Sequence, residues 1–141
     1  MSEVNAMEKV NLSQELSENA STVFCSVQGG DRATKAKVYN AMNNPEHKVG
    51  DMINKTINVK DVLVEIIELA NEETGEIEEA PRVVLIDDKG KAYQAVSAGI
   101  FNAVKNAIQV FGAPTWDEPL PCLIKQVPVK NGSMLTFDID L

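Results

Sequence analysis

A chain of 141 residues with 44% apolar and 24% charged side chains is long enough to bury one hydrophobic core without metal or disulfide staples, and too apolar to be disordered. Its formal net charge of -8 excludes a molecule that is basic all over, while two cysteines and one histidine exclude a disulfide framework and a zinc cluster. No window approaches the roughly 18 apolar residues of a membrane span, and the start lacks the apolar run of a secretory signal, so a cytoplasmic protein with free thiols is expected.

Residues 1–21 are polar, with only a weak amphipathic spacing through Val4, Met7, Val10 and Leu12, and read as a flexible N-terminal arm, with a marginal helix as the alternative. Residues 22–141 are expected to form a single domain. The stretch STVFCSV (21–27) has the β-branched and aromatic content of a short strand, closed by a turn at Gln28-Gly29-Gly30. A helix is predicted from about Thr34 to Met42, with Val38, Ala41 and Met42 on one face. It ends at Asn43-Asn44-Pro45, because the residue before proline avoids helical torsions.

From Thr56 the pattern changes to strand. Ile57 and Val59 share one alternation and Val62, Val64 and Ile66 the opposite one, so a bulge is predicted near Lys60-Asp61. The acidic NEETGEIEE follows as a turn at Thr74-Gly75. PRVVLIDDKGKAYQAVS then reads as two strands joined at Asp88-Lys89-Gly90, and Ser97 as the cap of a helix from about Ala98. That helix carries an apolar stripe of Ile100, Val104, Ala107, Ile108 and Phe111 and stops at Gly112, ahead of Pro114. Asn131-Gly132 is a strong hairpin signal, and Leu135, Phe137, Ile139 and Leu141 alternate with polar residues in a final strand. Three strands, a helix and two strands is the order of an OB-fold, a five-stranded barrel with a helix between its third and fourth strands. An open α+β sheet has the same order. The expected fold is thus mainly β with α, OB-like, plus an N-terminal strand and helix as an extension.

Charge is unevenly spread. Eight acids and no base lie between Asp61 and Glu79, equal to the whole net charge, whereas Arg32 to Lys60 carries six bases against Glu46 and Asp51. The acidic run lacks the ligand spacing of an EF-hand loop and reads as a solvated hairpin tip that repels phosphate. His47 lies in the polar turn NNPEHKVG and reads as a surface residue. Cys25 and Cys122 lie among apolar neighbours, where thiols pack rather than react. No nucleophile elbow, phosphate loop, dinucleotide fingerprint or zinc-protease motif occurs, so neither catalysis nor a cofactor is expected.

Holding a single nucleic-acid strand without reading its sequence needs cations for phosphates and rings on which bases stack. The candidate phosphate ligands are Arg32, Lys35, Lys37, Lys55, Lys60, Arg82, Lys91 and Lys125, within a wider set of bases that includes Lys48, Lys89 and Lys130. The candidate stacking rings are Tyr39, Tyr93 and Trp116, each open to either a core or a ligand role; Phe24 is a further candidate. Tyr93 is placed on a strand with Lys91 two residues back on the same face. Phe101, Phe111 and Phe137 sit on apolar stripes and are assigned to the core.

The stretches TKAKVYNAMNNPEHKVGDMINKTINVKDV and RVVLIDDKGKAYQAVSAGIFNAVKNAIQVFGAPTW, with the closing hairpin, resemble the small single-stranded DNA-binding proteins encoded by phages of Gram-positive bacteria. The resemblance covers about residues 22 to 141. It implies a replication accessory that coats and protects single strands without catalysis in the host cytoplasm, as an oligomer and alongside replication proteins. The competing expectation is an acidic protein-interaction module that mimics phosphate and inhibits a host DNA-handling protein.

Overall fold

The computed structural model describes residues 22–27 and 30–141. The expected arm, residues 1–21, lies outside them. In chain order the elements are β1 (Thr22–Cys25), α1 (Arg32–Asn43), β2 (His47–Lys48), a single 3-10 turn (Val49–Met52), β3 (Thr56–Ala70), β4 (Ile77–Asp87), β5 (Ala92–Val96), α2 (Ala98–Phe111), β6 (Leu120–Val129) and β7 (Gly132–Ile139).

The strands form one curled sheet in the order β2-β5-β4-β3-β6-β7, with β1 added beside β3. All neighbours are antiparallel except β2 and β5. From Thr56 the order of elements is the expected one, with α2 between β5 and β6. Among the described residues β5 and β7 share no ladder, so the sheet is an open curl and not a closed five-stranded barrel. β2 lies along the outer edge of β5 instead, and Val49 of the 3-10 turn is fully buried in the core.

The turns follow local chemistry. Gly75, Gly90 and Gly132 take the positive φ that the three hairpin turns require. The register of β3 against β4 shifts between Val59 and Asp61, so Lys60 is the extra residue of a bulge where the alternation changes phase. Ser97 Oγ accepts a hydrogen bond from the Ile100 N–H at 3.1 Å and caps α2, and Gly112 ends that helix at φ 85°. α1 runs two residues longer at its start than its apolar pattern implies, because Asp31 caps it by accepting from the Thr34 N–H at 2.8 Å.

Each face of the sheet is covered by one helix. α2 buries Ile100, Ala103, Val104 and Ala107 against the concave face with Val62, Val64, Val83, Leu85, Cys122, Ile124 and Phe137. α1 lies on the other face, where Ala41, with Val38 and Met42, meets Leu63, Val84 and Ala92. Full burial of Leu63 and Val84 contributes about 2 kcal/mol each, which is what holds α1 down. Phe111 departs from expectation: in the last turn of α2 it is exposed rather than part of the core.

Register fixes the long axis. The β3–β4 hairpin projects from the Val59–Asp87 pair to the Ala70–Ile77 pair, a span of about 35 Å at the usual strand rise. Its far tip carries the glutamates. The β4–β5 turn, with Lys89 and Lys91, and the N-terminal end of β3 lie at the other end. β6 pairs with β3 only from Val59 back to Thr56 and then continues past it, so the β6–β7 turn with Lys130 also points away from the acidic tip.

Candidate nucleic-acid interface

The lysine-bearing end of the sheet is assembled from three elements. α1 shows Arg32, Lys35 and Lys37 to solvent, together with Tyr39, whose surface is 63% exposed. Arg32, Lys35 and Tyr39 recur at intervals of three and four residues and so share one side of the helix. Lys37 turns toward the sheet. There it lines a groove of about 280 Å³ with Lys60 from the β3 bulge and Lys89 from the β4–β5 turn. The bulge matters because the extra residue re-aims its side chain, and the Lys60 carbonyl is fixed by the Trp116 N–H at 3.0 Å.

Three carboxylates border the same groove, and two have internal duties. Asp61 accepts from Ser26 Oγ at 2.8 Å and from Thr115 Oγ1. Asp87 accepts from the backbone N–H groups of Lys89 and Lys91 at 2.9 and 2.8 Å and, at 3.5 Å, from the Tyr93 hydroxyl. Asp88 is exposed in the turn beside Lys89. Their acceptor oxygens thus hold the bulge and the turn in shape, while the three ammonium groups reach the groove without an ion-pair partner closer than 4.0 Å among the described residues. At the start of α1, hydrogen bonds from the Thr34 N–H and hydroxyl, then Lys37, hold the Asp31 carboxyl below its ordinary range.

The other candidates divide. Lys91 is exposed in the turn, outside the strand on which a shared face with Tyr93 was expected. Lys55 is exposed just ahead of β3, on the β6 side, where its carbonyl accepts from the Ile124 N–H. Arg82 is committed elsewhere: its guanidinium bonds Glu65 at 2.7 Å and Gln94 at 3.1 Å, and the Arg82 side chain is only 11% exposed. Lys125 is paired with Asp138 across β6 and β7. Lys89, left among the wider set of bases by sequence reasoning, is brought into the groove because its turn faces the bulge. The signal was present in the DDKG turn but needed the register of β3 on β4 to be used.

Two of the three candidate rings face inward. Tyr93 is 7% exposed and Trp116 8%, so neither offers a free face to a base. Tyr93 belongs to the concave face of β5, and its phenol is held above its ordinary pKa by burial first, then by Asp87 and Glu46. Trp116 donates its indole N–H to the Gly112 carbonyl at 3.0 Å. His47 is not a free loop residue: it pairs with Tyr93 through β2 and stacks on its ring, with centroids 5.0 Å apart. Among the described residues no group of three or more His, Cys, Asp or Glu side chains could hold a metal ion, and no helix is long and apolar enough to cross a membrane.

Comparison with protein families matches residues 17–140 to the family described as phage single-stranded DNA-binding protein. No curated protein and no solved structure matches the chain. The match spans both helices and the sheet from β1 through β7, so the framework that gathers the lysines at one end falls within it. The chain belongs to the phage single-stranded DNA-binding protein family.

Proposed function

We propose that this protein holds single-stranded DNA during phage DNA replication and recombination without catalysis and largely without regard to sequence, as a barrel-like OB-related module. The observation that carries the reading is the convergence of Lys37, Lys60 and Lys89 on one groove at the end of the sheet remote from the acidic hairpin. Phosphates lie on these lysines, with Arg32, Lys35, Lys91 and Lys55 extending the cationic path, and a base stacks on the exposed Tyr39 ring. The glutamates of the β3–β4 tip keep the strand away from the far end by repulsion.

The test is titration of an oligo-dT by the full chain at increasing salt. Each phosphate contact on a single strand contributes about 0.7 to the slope of log affinity against log salt. The triple variant Lys37→Gln, Lys60→Gln, Lys89→Gln is expected to lower that slope by about 2. No binding at low salt, or an unchanged slope in the triple variant, would sink the proposal. If instead neutralising Glu72, Glu73, Glu76, Glu78 and Glu79 abolished the activity while the lysine variant kept it, the phosphate-mimic reading would replace it.

A further inference from the structure

The β7 edge of the sheet offers a second surface, of opposite electrical character. The Asp140 N–H donates to the Pro121 carbonyl at 2.8 Å, and Cys122 stands opposite Ile139. In an antiparallel ladder this makes Cys122–Ile139 a pair without mutual hydrogen bonds, and the same holds for Ile124–Phe137 and Gln126–Leu135. The backbone N–H and C=O groups of Leu135, Phe137 and Ile139 therefore point away from β6. Pro128, opposite Ser133, obeys the same parity, since its missing N–H falls on the outer side of β6.

Among the described residues no strand lies beyond β7 and no backbone hydrogen bond reaches those groups. The Leu135 carbonyl lies against Gly99 of α2, so the helix covers that end. Further along, an open groove of about 450 Å³ separates β7 from Asn102, Asn106 and Val110. Phe111 joins it to an adjoining groove of about 410 Å³ that reaches Leu141. Val110 is 75% exposed, and Phe111 and Leu141 are exposed as well. Asp138, already paired with Lys125, borders the first groove, Asp117 and Glu118 supply the carboxylates of the second, and no lysine or arginine lines either one.

We propose that this trough between α2 and β7 is a docking site for an extended segment of a partner protein that carries lysine or arginine beside apolar residues and joins the sheet as an added strand. Unpaired strand-edge groups supply the backbone bonds, Val110, Phe111 and Leu141 receive apolar side chains, and the carboxylates select a basic partner. DNA is repelled from the same trough, so the two surfaces can be occupied together.

The probe is a synthetic peptide of alternating valine and lysine, offered to the full chain at physiological salt, with hydrogen exchange read at each β7 amide. The Phe137 and Ile139 amides, beyond the end that α2 covers, are expected to exchange freely in the protein alone and to be protected by the peptide. Methylating alternate peptide nitrogens, or replacing lysine with glutamate, should remove the protection. Asn106→Arg, on the exposed side of α2, should block the groove. Asp117→Asn with Glu118→Gln should weaken binding about fivefold, as expected for two rim charges. Oligo-dT affinity should persist in these variants, and Glu72→Gln with Glu73→Gln should leave peptide protection of β7 intact. Peptide binding without protection of β7 would overturn the proposal. Protection already present in the protein alone would do so too: if it rose with concentration, a second copy would occupy the edge, and if it did not, the chain's own residues would.

Discussion

Gly99 in the first turn of α2 packs directly on the carbonyl of Leu135 in β7, with no room between them for a side chain. Gly99 is part of a regular helix, so in isolation alanine there would favour the helix by about 1 kcal/mol. Contact with backbone reverses the sign. Gly99→Ala is expected to destabilise the fold by about 2 kcal/mol, because the helix must lift from the strand. Urea denaturation of the two proteins measures this directly, and an unchanged midpoint would mean that α2 and β7 are not in contact.

Tyr39 and Trp116 should respond oppositely to DNA. Tyr39→Ala is expected to weaken oligo-dT binding by about 2 kcal/mol, the scale of one stacked base, with little change in Tm because the ring is exposed. Trp116 is enclosed, with its indole N–H satisfied by Gly112. Its fluorescence should change little when poly-dT is added. Strong quenching would show that the loop from Gly112 to Leu120 opens on binding.

Arg82 separates structural charge from ligand charge. Arg82→Met removes a guanidinium held between Glu65 and Gln94 on the α1-covered side of the sheet. A loss of about 2 kcal/mol in stability is expected, below the value for a fully buried pair because both side chains keep some solvent contact. Oligo-dT affinity, measured where the variant is folded, should stay within about twofold, the range of a position that makes no phosphate contact. A large loss of affinity would return Arg82 to the DNA path.

Burial pushes the Cys122 thiol up to about 12. At pH 8 a disulfide reagent should therefore leave Cys122 unmodified until the protein unfolds. Alkali has a second effect. The unfolded thiol ionises near its ordinary value of 9.0, and above that pH the unfolded chain binds fewer protons than the folded one. Stability is therefore complete below about pH 9 and falls as pH rises toward 12, and the raised Tyr93 phenol acts in the same direction. Thermal melts from pH 7 to 10.5 test this, and a flat Tm would contradict it.

What the sequence made legible was local. The Lys60 bulge, the Ser97 cap and the Asn131-Gly132 hairpin each depend on a few neighbouring residues, and all three stand where the pattern put them. What it hid was set by distant partners. In AYQAV both alternations are apolar or neutral, because α1 covers one face of β5 and the core the other, so period alone could not say that Tyr93 faces inward. The two-residue β2 is too short to carry a period, and only its pairing with β5 draws His47 onto Tyr93. The Arg82–Glu65 bond likewise needed the strand register to become visible.

The glutamates at the β3–β4 tip and Lys60, Lys89 and Lys91 at the opposite end of the same strands set up a charge gradient along the hairpin. In the field of a polyanion such a body experiences a torque before it makes contact, which turns the cationic pole inward and the anionic pole toward solvent. On the proposed function, a net charge of -8 slows the approach while the gradient favours contact by the lysine end.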